Sequence, residues 1–173
     1  MHYLLVKALE KAGVAYKDIQ PVFLAPADAR AAFERGSVDA WVIWDPFLAA
    51  AEKQLGARVL ADGTGLVSNH QFFLAARPYA EKHQDIVRIV IEELAKVDEW
   101  GSKNQQEVAQ ILSAQTGLEA GVVALAAQRY AYGVKPITPE VINAQQKIAD
   151  AFAGLKLIPK PIKVSDALLP FKL

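Results

Sequence analysis

The sequence predicts an α/β fold in which a lobe built on a parallel sheet is followed by a mostly helical part. Three observations lead there. Residues up to about 67 alternate helical patterns with short apolar runs, the rhythm of βαβ units. The run Val38 to Trp44 is almost wholly apolar and rich in aromatic and β-branched residues, as a strand buried on both faces should be. Beyond Arg77 the rhythm changes, and apolar residues recur at helical spacing instead.

The elements follow in order. Leu4, Leu5, Ala8 and Leu9 make a helical stripe over Tyr3 to Ala12 that Gly13 ends. A short strand is expected near Ile19 to Leu24. Pro26 then opens a helix over Ala27 to Arg35, with Asp28 in its first turn and Gly36 as stop. Strand Val38 to Trp44 leads into a helix from Pro46 to Leu55, and a further strand covers Arg58 to Ala61. Asp62-Gly63-Thr64-Gly65 reads as a turn, since its glycines complete neither a dinucleotide nor a P-loop pattern. His70 to Ala76 reads as another buried strand, and Pro78 as the opening of a short turn.

The second half is helical. Ile86, Val90, Leu94 and Val97 form a stripe over Asp85 to Ser102. Helices over Gln105 to Thr116 and Leu118 to Tyr132 are closed by Gly117 and Gly133. Thr138 caps a last long helix with Val141, Ala144, Ile148, Phe152 and Leu155 on one face. The tail from Pro159 to Leu173 reads as an extended surface segment. One strand in this half cannot form a sheet by itself, so its partners are expected elsewhere. The sequence also opens directly on a helical pattern, with no leader or preceding strand. It therefore reads as a fragment or as a chain with a late start.

Composition bounds the function. With 173 residues the chain can bury roughly 70% of its unfolded surface. The 19 basic and 19 acidic residues cancel and no basic run occurs, so no nucleic-acid or anionic-membrane partner is expected. No apolar stretch approaches the roughly 20 residues of a membrane span. The absence of cysteine excludes disulfide and thiol chemistry and fixes no compartment. His2, His70 and His83 have no metal-ligand spacing. Glu92-Glu93 and Asp98-Glu99 read as the wet face of a helix. No HExxH, GxSxG or P-loop is present, so neither catalysis nor a cofactor is indicated.

The most informative feature is Trp44-Asp45-Pro46. Asp45 can cap a helix that Pro46 begins, directly after a strand. An indole and a helix start then meet at the carboxyl end of a strand, where open α/β sheets bind small ligands.

These residues also carry a family resemblance. Pro26-Ala27-Asp28-Ala29-Arg30-Ala31-Ala32-Phe33, Gly36-Ser37-Val38-Asp39-Ala40-Trp41 and Trp44-Asp45-Pro46 together resemble the periplasmic aliphatic-sulfonate-binding proteins of ABC importers. The likeness continues through Arg58-Val59-Leu60 and Phe73-Leu74-Ala75-Ala76-Arg77-Pro78-Tyr79-Ala80, then weakens. It implies an incomplete two-lobe, type II periplasmic-binding-protein-like fold. Residues 1–67 would be most of lobe two, and 68–173 the crossover strand and C-terminal helical share of lobe one. It implies a substrate-binding component rather than an enzyme, periplasmic, working with an ABC importer membrane permease. Exposed sheet edges would favour a homo-oligomer or strand-exchanged dimer.

A sulfonate needs donors for its charged head and an apolar surface for its tail. The implied ligand-binding residues are Trp44, Asp45, Ser68, Asn69, His70 and His2. His2 resembles the last residue of the family's serine-rich turn. Asp45 reads as a cap rather than a contact, because a carboxylate beside an anion is costly; a taurine-like amine would change that. His70 reads equally as core packing or ligand contact. Relatives of the same fold bind taurine, nitrate or pyrimidine precursors. Fungal thiamine-pyrimidine synthases share it but carry a cysteine-rich motif. Effector domains of LysR-type regulators share it without a block like Trp44-Asp45-Pro46-Phe47.

Overall fold

A computed structural model describes residues 1–169, and they divide into two compact units. Unit 1 joins Met1–Val67 to Lys103–Ala131, and unit 2 joins Ser68–Ser102 to the residues from Tyr132 on. No helix among the described residues is long and apolar enough to cross a membrane.

Unit 1 begins with α1, His2–Ala12, which ends at Gly13. Gly13 adopts φ 70°, a left-handed conformation that suits glycine; its N–H donates to the Glu10 carbonyl and the Val14 N–H to the Leu9 carbonyl, which closes the helix. A 3-10 turn, Tyr16–Asp18, packs on α1. Helix α2 spans Pro26–Glu34, with proline in its first turn. Helix α3, Phe47–Leu55, ends at Gly56 with φ 63°. Much later in the chain come α6, Gln105–Thr116, and α7, Ala120–Arg129.

The core of unit 1 is the seam between α3 and α7. Ala49, Ala50 and Val122 are buried there, with Leu125 and Ala126 packed around them. Small residues on α3 let the two helix backbones approach closely, so one valine fills the gap. Helix α6 covers another side of α7, and α2 touches α3.

Unit 2 holds α4, Arg77–Lys82, the long α5, Gln84–Lys103, whose last residue belongs to unit 1, and α8, Pro139–Gly154. Thr138 caps α8 by accepting the Val141 N–H at 3.5 Å. Gln146 ties the tail to α8: its Nε2 donates to the Ile162 carbonyl at 2.9 Å, and its Oε1 accepts from Val164 N–H at 2.9 Å. The tail therefore folds into a 3-10 turn, Val164–Ala167, rather than lying extended. Arg77 Nη2 also donates to the Asp166 carbonyl, at 2.6 Å. The last four residues of the expected extended tail lie outside the described residues.

The helices match the sequence pattern, but the sheet does not appear. No β-ladder forms among the described residues. Segments expected as strands take no regular structure, and residues in them are exposed: Phe23 is 75% accessible, Leu60 71% and, in the run expected to be buried, Leu74 92%. A helix closes its hydrogen bonds within itself, whereas a strand needs a neighbour in register. No described segment supplies one. Only Ile43, of the Val38–Trp44 run, is buried.

Three smaller differences follow from local geometry. Pro46 is the residue before α3 rather than its first. The turn expected at Pro78 is a helix of six residues. Helix α7 stops at Arg129 because Tyr130 turns extended, and Gly133 instead donates its N–H to Asp98 Oδ2 at 2.6 Å. The α5 stripe exists, yet Ile86, Val90 and Val97 are exposed among the described residues.

Candidate functional site

The turn ahead of α3 carries the strongest chemistry in unit 1. Trp44 is 50% exposed, and its ring meets Phe47 edge-on at 6.1 Å between centroids. Its carbonyl accepts the Leu48 N–H at 3.1 Å, and the Pro46 carbonyl accepts the Ala50 N–H at 3.0 Å. Asp45 turns its carboxylate onto the helix start, where Oδ1 accepts the Ala49 N–H at 3.0 Å. That bond satisfies one donor of the first turn and suits the positive end of the helix dipole.

Arg129, at the end of α7, closes the arrangement. Its Nη1 donates to Glu52 Oε2 at 2.6 Å and lies 3.6 Å from Asp45 Oδ1. The bond to Glu52 and the field of Asp45 hold the guanidinium pKa above its ordinary value, with burial opposing. Two carboxylates and one guanidinium leave the cluster one negative charge, held between α3 and α7. Sequence reasoning missed Arg129 and Glu52. They stand 77 residues apart, and no local motif marks either.

At the start of α1, His2 Nε2 lies 2.7 Å from the Tyr16 hydroxyl. The imidazole meets the Tyr16 and Phe23 rings in tilted contacts, each 5.5 Å between centroids. Burial, then the nearby N-terminal ammonium, pushes the His2 pKa below the usual histidine range. A ring, a hydroxyl and a helix start are thus joined, and Phe23 adds an exposed apolar face. Tyr16 and Phe23 were not singled out by sequence.

Ser68, Asn69 and His70 open unit 2 and are all exposed. Asn69 adopts φ 48°, a conformation that asparagine tolerates better than most residues. His70 contacts the Phe72 ring at 6.4 Å and is not a core residue. The six candidates therefore fall in two sets: His2, Trp44 and Asp45 in unit 1, Ser68, Asn69 and His70 in unit 2.

A cavity of about 500 Å³ lies at the far end of α1, lined by Ala8, Lys11, Leu60, Asp62 and Leu66 among others. It includes none of the six candidates. Asp62 Oδ1 accepts the Thr64 N–H at 2.8 Å, so the Asp62–Gly65 loop is a closed turn with a carboxylate where a phosphate would need donors. Among the described residues no group of three or more His, Cys, Asp or Glu is placed to hold a metal ion.

The described fold matches about half the length of solved periplasmic binding proteins of the type II fold. The crystal structure of the periplasmic aliphatic sulphonate binding protein SsuA from Escherichia coli superposes with TM-score 0.88 at 42% identity, covering 99% of this chain and 56% of that one. The alkanesulfonate-binding protein SsuA from Xanthomonas axonopodis pv. citri, bound to MOPS, gives 0.89 at 39% identity, covering 96% and 58%. The chain belongs to the NMT1-like family, whose profile matches residues 1–113. A relative from Escherichia coli (strain K12), named for binding aliphatic sulfonates, is 43% identical over 168 residues, which are 96% of this chain and 53% of that protein. The chain thus spans about half the length of the relatives it matches.

Proposed function

We propose that this protein serves as the substrate-binding component, or a large part of one, of an ABC importer for aliphatic sulfonates. The observation that carries the reading is the 43% identity across 96% of the chain to a relative named for these ligands. The site chemistry supports it. Trp44 offers an apolar face for an alkyl tail, and the Asp45 carboxylate is engaged by Ala49 N–H and Arg129. His2 in unit 1 and, separately, Ser68, Asn69 and His70 in unit 2 carry donors of the kind a sulfonate head accepts. No covalent step is needed, so the role is binding and delivery to a membrane permease, in the periplasm as for the Escherichia coli relative. Residues 1–67 would form most of one lobe, and 68–173 the crossover and the C-terminal share of the other. A second copy, or an exchanged strand, would cover the exposed Phe73 and Leu74.

Taurine is the second reading, favoured by a taurine-binding periplasmic protein of Escherichia coli that is 31% identical over 91 residues. Nitrate, a pyrimidine precursor or an effector role in a transcription regulator have less support. Titration calorimetry with ethanesulfonate, hexanesulfonate, taurine, sulfate and nitrate tests the reading. Heat with the alkanesulfonates, growing in affinity with chain length, supports it. Binding of nitrate or sulfate alone overturns it.

A further inference from the structure

The Trp44–Asp45–Pro46 turn is held from outside its own segment. Asp45 sits between two groups that fix it: the Ala49 N–H at 3.0 Å and the Arg129 guanidinium at 3.6 Å. Arg129 is itself anchored, by Glu52 at 2.6 Å on the same helix that Asp45 caps. Behind them Ala49, Ala50 and Val122 lock α3 to α7. Arg129 and Asp45 are 35% and 24% accessible, so the pair is partly desolvated, and Asp45 is the residue next to Trp44.

We propose that Arg129 is a positioning residue for the binding turn: by holding the Asp45 carboxylate and offsetting part of its charge it fixes Trp44 and keeps the face beside the indole open to an anion. The reasoning is electrostatic. An unpaired carboxylate one residue from Trp44 would repel a sulfonate and attract an ammonium group. A guanidinium shared between Asp45 and Glu52 weakens that field while leaving the helix cap in place. Arg129 touches no ligand in this scheme and acts through Asp45. The anion arm of the proposal rests on the sulfonate reading; the positioning arm does not.

Two measurements on the full chain test it. The first follows the three indole N–H signals by NMR, with Trp44 assigned through Trp44→Phe. Arg129→Gln should shift the Trp44 signal while those of Trp41 and Trp100 stay. Arg129→Lys and Glu52→Gln should shift it less. In an Asp45→Asn background, Arg129→Gln should add no further shift, because its effect runs through that carboxylate. An unmoved Trp44 signal, a common shift of all three indoles, or loss of folding in both Arg129 variants would overturn the proposal. The second compares ethanesulfonate with taurine. Arg129→Gln should weaken ethanesulfonate about tenfold and taurine distinctly less. An equal loss for both would overturn the electrostatic role. If the wild-type chain bound neither, the sulfonate reading would fail, and the indole signals would still decide the positioning role.

Discussion

Asp45 Oδ1 and Arg129 Nη1 lie 3.6 Å apart, and through them the turn before α3 meets the last residue of α7. The same carboxylate oxygen accepts the Ala49 N–H, so one side chain both caps a helix and pairs with a cation. The cap and the ion pair can be separated by substitution. Asp45→Ala removes both and should lower stability by about 1–2 kcal/mol. Asp45→Asn keeps a capping oxygen and should lose less than half of that. Urea unfolding with an unchanged slope checks it. Equal losses in the two variants would show that the cap contributes nothing.

The α3–α7 seam should tolerate change poorly in either direction. Val122 is fully buried against Ala49 and Ala50. Val122→Ala leaves a cavity and should cost about 2 kcal/mol. Ala49→Leu overfills the seam and should cost about 1–3 kcal/mol. Both are read from denaturant midpoints. A neutral Ala49→Leu would mean that the helices are not in close contact there.

His2 should titrate below an ordinary histidine, since burial and then the N-terminal ammonium disfavour its charged form. The sign follows from linkage. The stability tied to this ring is complete above the ordinary histidine pKa, about 6.5, and is lost as pH falls through the depressed value. An NMR titration of the ring protons gives the pKa. Tyr16→Phe removes the hydroxyl 2.7 Å from Nε2, opens the ring to water, and should move the pKa upward.

Glu140, in the first turn of α8, should titrate below an ordinary glutamate. Hydrogen bonding to the Thr138 side chain, then to backbone, holds its carboxyl down. Its contribution is present above the ordinary glutamate range and lost as pH falls through the depressed value. Thr138→Ala should raise that pKa and weaken the α8 cap. Carboxyl carbon NMR in both proteins measures the difference.

The helices were legible in the sequence because their signals are local. Gly13 and Gly56 stop α1 and α3 where the pattern breaks, and the Thr138 cap opens α8. The strands were not, because apolar runs such as His70 to Ala76 declare only a preference for burial. Whether Leu74 is buried depends on a neighbour that the run itself does not name, and it stands 92% exposed. The site shows the same division. Trp44 and Asp45 are visible as a strand-end motif. Arg129 is one arginine in an alanine-rich helix, and its pairing with Asp45 exists only once α3 and α7 are packed.

The most direct test of the account is thermal unfolding of the wild-type chain and Trp44→Ala with and without hexanesulfonate. At a hundred times its dissociation constant a ligand adds about 2.7 kcal/mol, a rise of about 5–10 °C for a chain of this size. The account predicts that rise in the wild type, at most half of it in Trp44→Ala at the same concentration, and none with nitrate. A cooperative melt that hexanesulfonate leaves unmoved, or moves equally in both proteins, would contradict it.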